Sequence, residues 1–586
     1  MTNTKCCIEN EKFLLEISVE NGVKIEKFVQ KEGNFEWIFK PIEIFRLHKC
    51  DETIPGSDFE IIKIEENEDK IHKMHTFFLK KDNFFVRLCI LENPDFSISI
   101  IPQLAVKFEN NIPYDIYFDL PALVEIGKNS KQKTYPFKPP VVQGTSFLQL
   151  PLCLLNDDSG LCIEFPTDDP HVSMWLQDRT YDFNWIQSDE ELYGHKWLLR
   201  PDDIYNTMAE LKINSVSGGW QECFEKARNH ARLRIDMGEY EREDLKWYKD
   251  TFLHHFTYLF GKEAYDYAGN RVDIERLLEQ GKEFGGYDAI TLWHQYPRLG
   301  IDDRTQWDFF DDFPGEKTGH ENINEIVKIA HKHGVKVFLP YKPWDLKSSE
   351  SSDDVLQKFC DLIENTGVDG IFLDTMDQPP YALRKAVDKV RPGVVFITEL
   401  KPANRRAMSI LTGSWDQYET AISMPEINLM RFMIPEHFSP IISRRHIGEK
   451  KDILIKRAIF NGTGIVVWQD IFGIWLPYSG EQKAKIRRWK TILTDNKANF
   501  QGANPLPLYS TLHNDLLCNS FPSDDGKSVI FALYNNSDEE ICGEFLECGK
   551  TGFAKEIWHG AEILLKNRVI SGKIGAKEIF VIKCEA

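Results

Sequence analysis

VDGIFLDTMDQPPYALRKAVDKVRPGVVFITEL, residues 368–400, holds two short apolar runs that each close on an acid, with a helix-forming stretch between them. Ile371, Phe372 and Leu373 lead to Asp374, and Val394, Val395, Phe396 and Ile397 lead to Glu399. Strand, helix, strand at this spacing predicts two neighbouring parallel strands, because a parallel pair needs a helix-length crossover.

The same rhythm extends in both directions. Upstream lie HHFTYLF (254–260), NRVDIERLLEQGKEFGG (270–286), YDAITLWHQYP (287–297), ENINEIVKIAHKHG (321–334), VKVFLPYKPWD (335–345) and SSDDVLQKFCDLIENTG (351–367). Downstream it continues more loosely through ANRRAMSILTG (403–413), SWDQYET (414–420), INLMRFMIP (427–435), ILIKRAIFNG (453–462) and GIVVWQD (464–470). About eight units between residues 250 and 497 match the ~250 residues of a (β/α)₈ barrel. With no Gly-rich phosphate fingerprint after the first strand, a dinucleotide-binding sheet is disfavoured.

Outside this region the period changes to two. FLLEISVENG (13–22), NFEWIFKPIEIF (34–45) and HTFFLKKDNFFVRLCIL (75–91) alternate in the manner of antiparallel strands, predicting a large β-sandwich over 1–240. WQECFEKARNHARLRI (220–235) reads as a closing helix and GEYEREDLKWYKD (238–250) as a linker. LLCNSF (516–521), SVIFALYNN (528–536) and EIFVIKC (578–584) predict a smaller sandwich over 503–586. The expected plan is therefore multidomain: β-sandwich, barrel over 250–497, β-sandwich.

Composition narrows the function. Acids outnumber bases 91 to 71, for a net charge of -20, which disfavours nucleic acid as a partner. Charges thread the N-terminal stretch, and no run approaches the ~20 apolar residues of a membrane span, so no membrane partner and a cytoplasmic location are expected. The 12 cysteines are scattered, without CxxC or a histidine at zinc-ligand spacing, and read as reduced core residues. Adjacent Cys6 and Cys7 read as two thiols on a strand.

In a barrel the site is built at the C-terminal strand ends. There, Asp374 and Glu399 form the carboxyl pair that glycoside hydrolysis needs, one to attack or stabilise the anomeric carbon and one to protonate the leaving oxygen. A lone strand-end acid is as often a salt-bridge or helix-capping residue; two on adjacent strands beside aromatic loops favour catalysis. Asp416 in SWDQYET competes as the acid. Trp293, Trp307, Tyr341, Trp344, Trp415, Trp468 and Trp475 fall at predicted strand ends, where indoles can stack on sugar faces. His294, Arg298, Lys342, Asp377, Arg431 and Asp470 are candidate hydroxyl ligands, with Glu436 on the same circuit. His331 and His333 read as residues at a helix C-terminus. No metal and no cofactor are expected; the partner is an oligosaccharide or glycoside.

In VDGIFLDTMDQ, VVFITEL and ENINEIVKIAHKHGVKVFLPYKPWD the chain resembles retaining glycosidases built as β-sandwich, (β/α)₈ barrel and β-sandwich: α-galactosidase and α-glucosidase-like enzymes and endo-α-N-acetylgalactosaminidase-like barrels. Its first half resembles their galactose-mutarotase-like sandwich. The resemblance implies an α-linked substrate, Asp374 as nucleophile and Glu399 as acid/base. Phe372 stands where α-galactosidases carry a lysine, and GSWDQYE stands where α-glucosidase-like members carry a Gly-Asp-Asn type motif. In the α-galactosidase pattern the acid comes from strand 6, which would make it Asp416. A barrel that binds carbohydrate without cleaving it, and a transglycosylase on the same scaffold, are the alternatives.

Overall fold

A computed structural model describes residues 5–49, 52–68, 72–106, 115–119, 135–136, 142–143, 148, 151–155, 160–164, 194–198, 206–207, 211–217, 219–294, 304–417, 424, 426–442 and 451–585. The chain divides into two compact units: Met1–Pro139 with Ser146–Ala231, and Pro140–Thr145 with Arg232–Ala586.

The first unit is antiparallel β-structure in sheets of five, nine and four strands. Strict alternation builds it: in Phe13–Ser18 the side chains of Phe13, Leu15 and Ile17 are buried and those between are half-buried. Its core gathers Phe13, Phe28, Trp37, Phe45, Phe77, Val86 and Leu88. The buried Trp37 indole donates to Gln30 Oε1 at 3.1 Å, and Gln30 Nε2 donates to Ser215 Oγ at 2.6 Å, so these interior polar atoms keep partners.

In the second unit, eight parallel strands close into a barrel: β1 Leu253–Tyr258, β2 Ala289–Trp293, β3 Lys336–Tyr341, β4 Gly370–Leu373, β5 Val395–Thr398, β6, β7 Ile441–Ile442 and β8 Ile465–Trp468. β6 comes in two pieces. Gly413–Ser414 pairs with β5 and Asp416–Gln417 pairs with β7, and between them the Trp415 ring stacks on Phe372 at 4.1 Å. Alternation sets which face each side chain takes: His254 and Phe256 meet the Trp415 and Phe372 rings of non-adjacent strands across the interior, Tyr258 meets Trp293 on the neighbouring strand, and His255 stacks outward on Tyr287 at 4.4 Å. Capping boxes at Thr318/Glu321, Ser351/Asp354 and Ser479/Gln482 start the helices Gly319–Lys332, Ser352–Thr366 and Gly480–Asp495.

Two expectations change. Residues 238–250 are not a free linker: Tyr240, Leu245 and Tyr248 are buried, and Tyr248 packs on Phe338 and Phe438 at the N-terminal end of the barrel. A Cβ on Gly413 would stand 2.4 Å from the Tyr248 ring, which is why that position carries glycine. Nor is INLMRFMIP strand 7. It is a two-residue strand, Ile427–Asn428, followed by the helix Leu429–Met433, and β7 is the short Ile441–Ile442. The short strand pairs with Val142–Gln143.

After the barrel, a four-stranded and a three-stranded antiparallel sheet share a core of Phe531, Leu533, Phe545, Ile570 and Phe580. Among the described residues no helix is long and apolar enough to cross a membrane.

Candidate active site

The register of β4 on β5 runs Gly370 with Val395, Ile371 with Phe396, Phe372 with Ile397 and Leu373 with Thr398. One step further, Asp374 stands beside Glu399, and the Glu399 N–H donates to the Leu373 carbonyl at 3.2 Å. Parallel neighbours lie ~4.8 Å apart, so the two backbones carry their acids at the same height, one strand apart. Phe372 faces the interior, where it meets Phe256 and Trp415, and period two brings Asp374 to the same face. Asp374 is 4% exposed, whereas Glu399 is half-buried.

Thr375 follows in the left-handed region, at φ 56°, an uncommon place for a β-branched residue. That turn aims its N–H at Glu399 Oε2, 3.3 Å away, and its Oγ1 accepts from the Trp344 indole at 3.2 Å. A chain of contacts thus joins the exposed Trp344, on the loop after β3, to the Glu399 carboxylate.

Lys342 also reaches the interior end of the barrel. Gln306 clamps its backbone, donating to its carbonyl and accepting from its N–H at 2.8 Å. Its ammonium lies 3.4 Å from Asp345, over the Trp293 ring at 5.5 Å and over the Trp344 ring at 5.3 Å. Burial pushes this ammonium down to about 8, with Asp345 and Asp374 pulling the other way.

Asp416 is differently placed. It is fully buried, its Oδ2 accepts from Asn428 Nδ2 at 2.6 Å and its Oδ1 lies 3.5 Å from Lys401 Nζ. Asp377, half-buried, has a carboxyl raised by burial, and its backbone carbonyl accepts from Ala403.

The other residues expected to bind substrate take varied positions. Trp293, Trp415 and Trp468 are buried and form, with Phe256, Tyr258 and Phe372, the aromatic floor beneath the two acids. Tyr341 alternates outward from Lys342, packing on Phe359 and Trp307 in the helix layer, where burial raises its phenol to about 12. His294 likewise faces away from Trp293, against Phe309 and Phe310. Arg431 precedes β7, and its guanidinium is buried against Phe521 and donates to the Phe500 carbonyl. Glu436 pairs with Arg232. Arg298 lies outside the described residues. His331 is in the last turn of its helix, 2.7 Å from Asp369.

Asp470 closes a hairpin after β8, where its Oδ1 accepts from Gly473 N–H at 3.0 Å. The hairpin pairs Asp470 with Trp475 and Ile471 with Ile474, and both turn residues, Phe472 and Gly473, have positive φ as this turn type requires. It leaves Phe472, Ile474 and Trp475 exposed, with Lys262 Nζ 4.1 Å over the Trp475 ring. Behind it Gln469 donates to Glu263, whose carboxyl burial raises to about 7. Thr375, Gln306 and Phe472 were missed from sequence. Only Phe472-Gly473 carries a turn signal there.

No protein-family model matches the chain, and no curated protein matches it. Among solved structures it is similar to the galactosidase domain of an α-galactosidase-sucrose kinase, AgaSK, with TM-score 0.51 and 8% identity over 100% of this chain and 99% of that one. It is similar to an α-galactosidase from Lactobacillus brevis, with TM-score 0.50 and 9% identity over 99% and 98%. At these identities the likeness is one of fold, a (β/α)₈ barrel flanked by β-sandwich domains.

Proposed function

We propose that the protein is a retaining glycosidase that cleaves an α-linked O-glycosidic bond, with Asp374 as nucleophile and Glu399 as general acid/base. The observation that carries this reading is the β4–β5 register, which sets Asp374 and Glu399 side by side at the C-terminal end of the barrel. Retention needs carboxyl groups ~5–5.5 Å apart, a separation compatible with equal height on neighbouring strands.

In the first step Asp374 attacks the anomeric carbon as the glycosidic C–O bond breaks, and the Glu399 carboxyl gives its proton to the departing oxygen. In the second, Glu399, now a carboxylate, takes a proton from water. The resulting hydroxide equivalent adds to the anomeric carbon and Asp374 leaves. The Lys342 ammonium favours the ionised form of Asp374 between turnovers. The aromatic floor keeps water from the underside of both acids. Trp344 offers a face to the leaving group, within one hydrogen-bond chain of Glu399.

Glu399 is preferred to Asp416 because an acid/base must gain and lose a proton while touching substrate. Asp416 is enclosed and tied to both Lys401 and Asn428. α-Galactosides are the first substrates to test, since both fold relatives named above are α-galactosidases. The deciding experiment is labelling with 2-fluoro glycosides or cyclitol aziridines across the α-galactose, α-glucose and α-N-acetylgalactosamine series, followed by peptide mapping. The label is expected on Asp374. Label on another residue, or inversion in the first-formed product by NMR, overturns the assignment.

A further inference from the structure

In the first unit, three side chains of different chemistry converge from three strands. Cys6 lies on Lys5–Glu9, Glu66 on Glu60–Glu68 and His75 on Lys73–Lys81. The thiol, a carboxylate oxygen and a ring nitrogen all lie within 4.8 Å of one another. His75 Nδ1 is 3.9 Å from Cys6 Sγ and 3.4 Å from Glu66 Oε1.

Tertiary structure makes this cluster. Glu66 stands directly opposite His75 in the antiparallel ladder, whereas Cys6 belongs to a different sheet. Cys6 shares its strand face with the buried Ile8, which turns it toward the sandwich interior, and Cys7 points away. His75 is 1% exposed and on the far side of its ring Nε2 meets Glu92 Oε1 at 3.3 Å. Glu92 also lies 3.5 Å from Lys73 Nζ.

We propose that Cys6, Glu66 and His75 bind a divalent transition-metal ion of the zinc class. Thiolate, imidazole and carboxylate form a borderline-soft ligand set suited to Zn²⁺. Bonds of ~2.3 Å to sulfur and ~2.0–2.2 Å to nitrogen and oxygen at a tetrahedral angle separate ligand atoms by ~3.3–3.7 Å. The His75–Glu66 distance lies in that range, and a small rotation of the Cys6 side chain closes the rest. Glu92 supplies what metal-ligating histidines usually have, a carboxylate on the other ring nitrogen that leaves the Nδ1 lone pair for the ion. Glu66 is largely exposed, so the fourth position opens to water. Binding forms an S–metal bond and releases the Cys6 thiol proton to solvent. The ion would tie two sheets of the sandwich together, apart from any chemistry at Asp374, and the inference stands whatever the barrel's activity.

The test uses the reduced, chelator-treated full chain. Titration with Zn²⁺ in a calorimeter is expected to give one ion per chain with proton release, and Co²⁺ a thiolate-to-cobalt absorption band. Cys6→Ser should abolish the band, Glu66→Gln should weaken binding, and Glu92→Gln should weaken it ~10–100-fold. Cys7→Ser should change nothing. Should Cys6→Ser fail to fold, the exposed pair Glu66→Gln and Cys7→Ser decides. The rival arrangement is an imidazolium between two glutamates with Cys6 merely packed beside it. It predicts no stoichiometric Zn²⁺ binding, and that result, or binding indifferent to Glu66→Gln, overturns the site.

Discussion

Glu399 and Asp416 end neighbouring strands of one barrel, yet their surroundings are opposed. Glu399 is half-buried and receives the backbone N–H of the strained Thr375 at 3.3 Å. Asp416 is sealed from solvent, takes the Asn428 amide at 2.6 Å and stands 3.5 Å from the Lys401 ammonium. The difference separates two uses of a strand-end acid. A carboxyl group held by a cation and an amide in a closed space braces the local fold. One at the edge of the cavity can pass a proton to a ligand.

Substitutions can break that contrast, and the largest effect sets its scale. Asp374→Asn is expected to lower kcat on every substrate by ~10⁴-fold or more, because no second group can form the glycosyl ester. Next comes Glu399→Ala, which should cost ~10²–10⁴-fold on substrates with poor leaving groups and far less on a dinitrophenyl glycoside, with the second step restored by azide. Azide rescue in Asp416→Ala but not in Glu399→Ala would reverse the roles and break the comparison.

Asp416→Asn should act on stability instead. It removes the buried negative charge 3.5 Å from Lys401 Nζ and is expected to cost ~3 kcal/mol in denaturant unfolding, while folded enzyme keeps its rate within ~10-fold. A normal melt with a lost rate would contradict this. Lys342 gives a pH-dependent test. Its ammonium, held at about 8, loses its charge well below the ordinary lysine value, so kcat/KM should show an alkaline limb near pH 8 that Lys342→Arg moves upward. The sign for stability is opposite. Between about 8 and the unfolded value of 10.5 the unfolded chain binds more protons, so this group makes the fold more stable as pH rises. The smallest effect sharpens the picture. Thr375→Val and Trp344→Phe should each reduce turnover a few-fold, ~3–10-fold, and the double variant no more than either alone, because they remove one hydrogen bond.

The first five barrel strands were legible because each is a short, mostly apolar run and a helix-forming stretch separates it from the next. Strand 7 was not. Ile441–Ile442 is too short to have a period, while INLMRFMIP is apolar enough to imitate a strand although it turns into a helix after the capping Asn428. That misplacement carried Arg431 to the rim in the sequence reading, where the fold buries it beside Phe500. Tyr341 and Lys342 show the other limit. Being neighbours, they cannot face the same side of a strand, and the packing of Phe359 against Tyr341 decided which one points inward.

By itself, the order of residues determined a barrel between β-structured regions, the strands that carry Asp374 and Glu399, and the expectation that those two acids share one end. These features are local: periodicity, helix caps and the chain length between strands. Only the tertiary structure decided that Trp293, Trp415 and Trp468 form a floor, that Asp416 is locked, that Thr375 bends toward Glu399, and that Cys6, Glu66 and His75 meet. Each depends on which side chains from distant strands occupy the same few ångströms. Strand pairing and the close packing of the interior create that proximity, and no spacing along the chain encodes it in readable form.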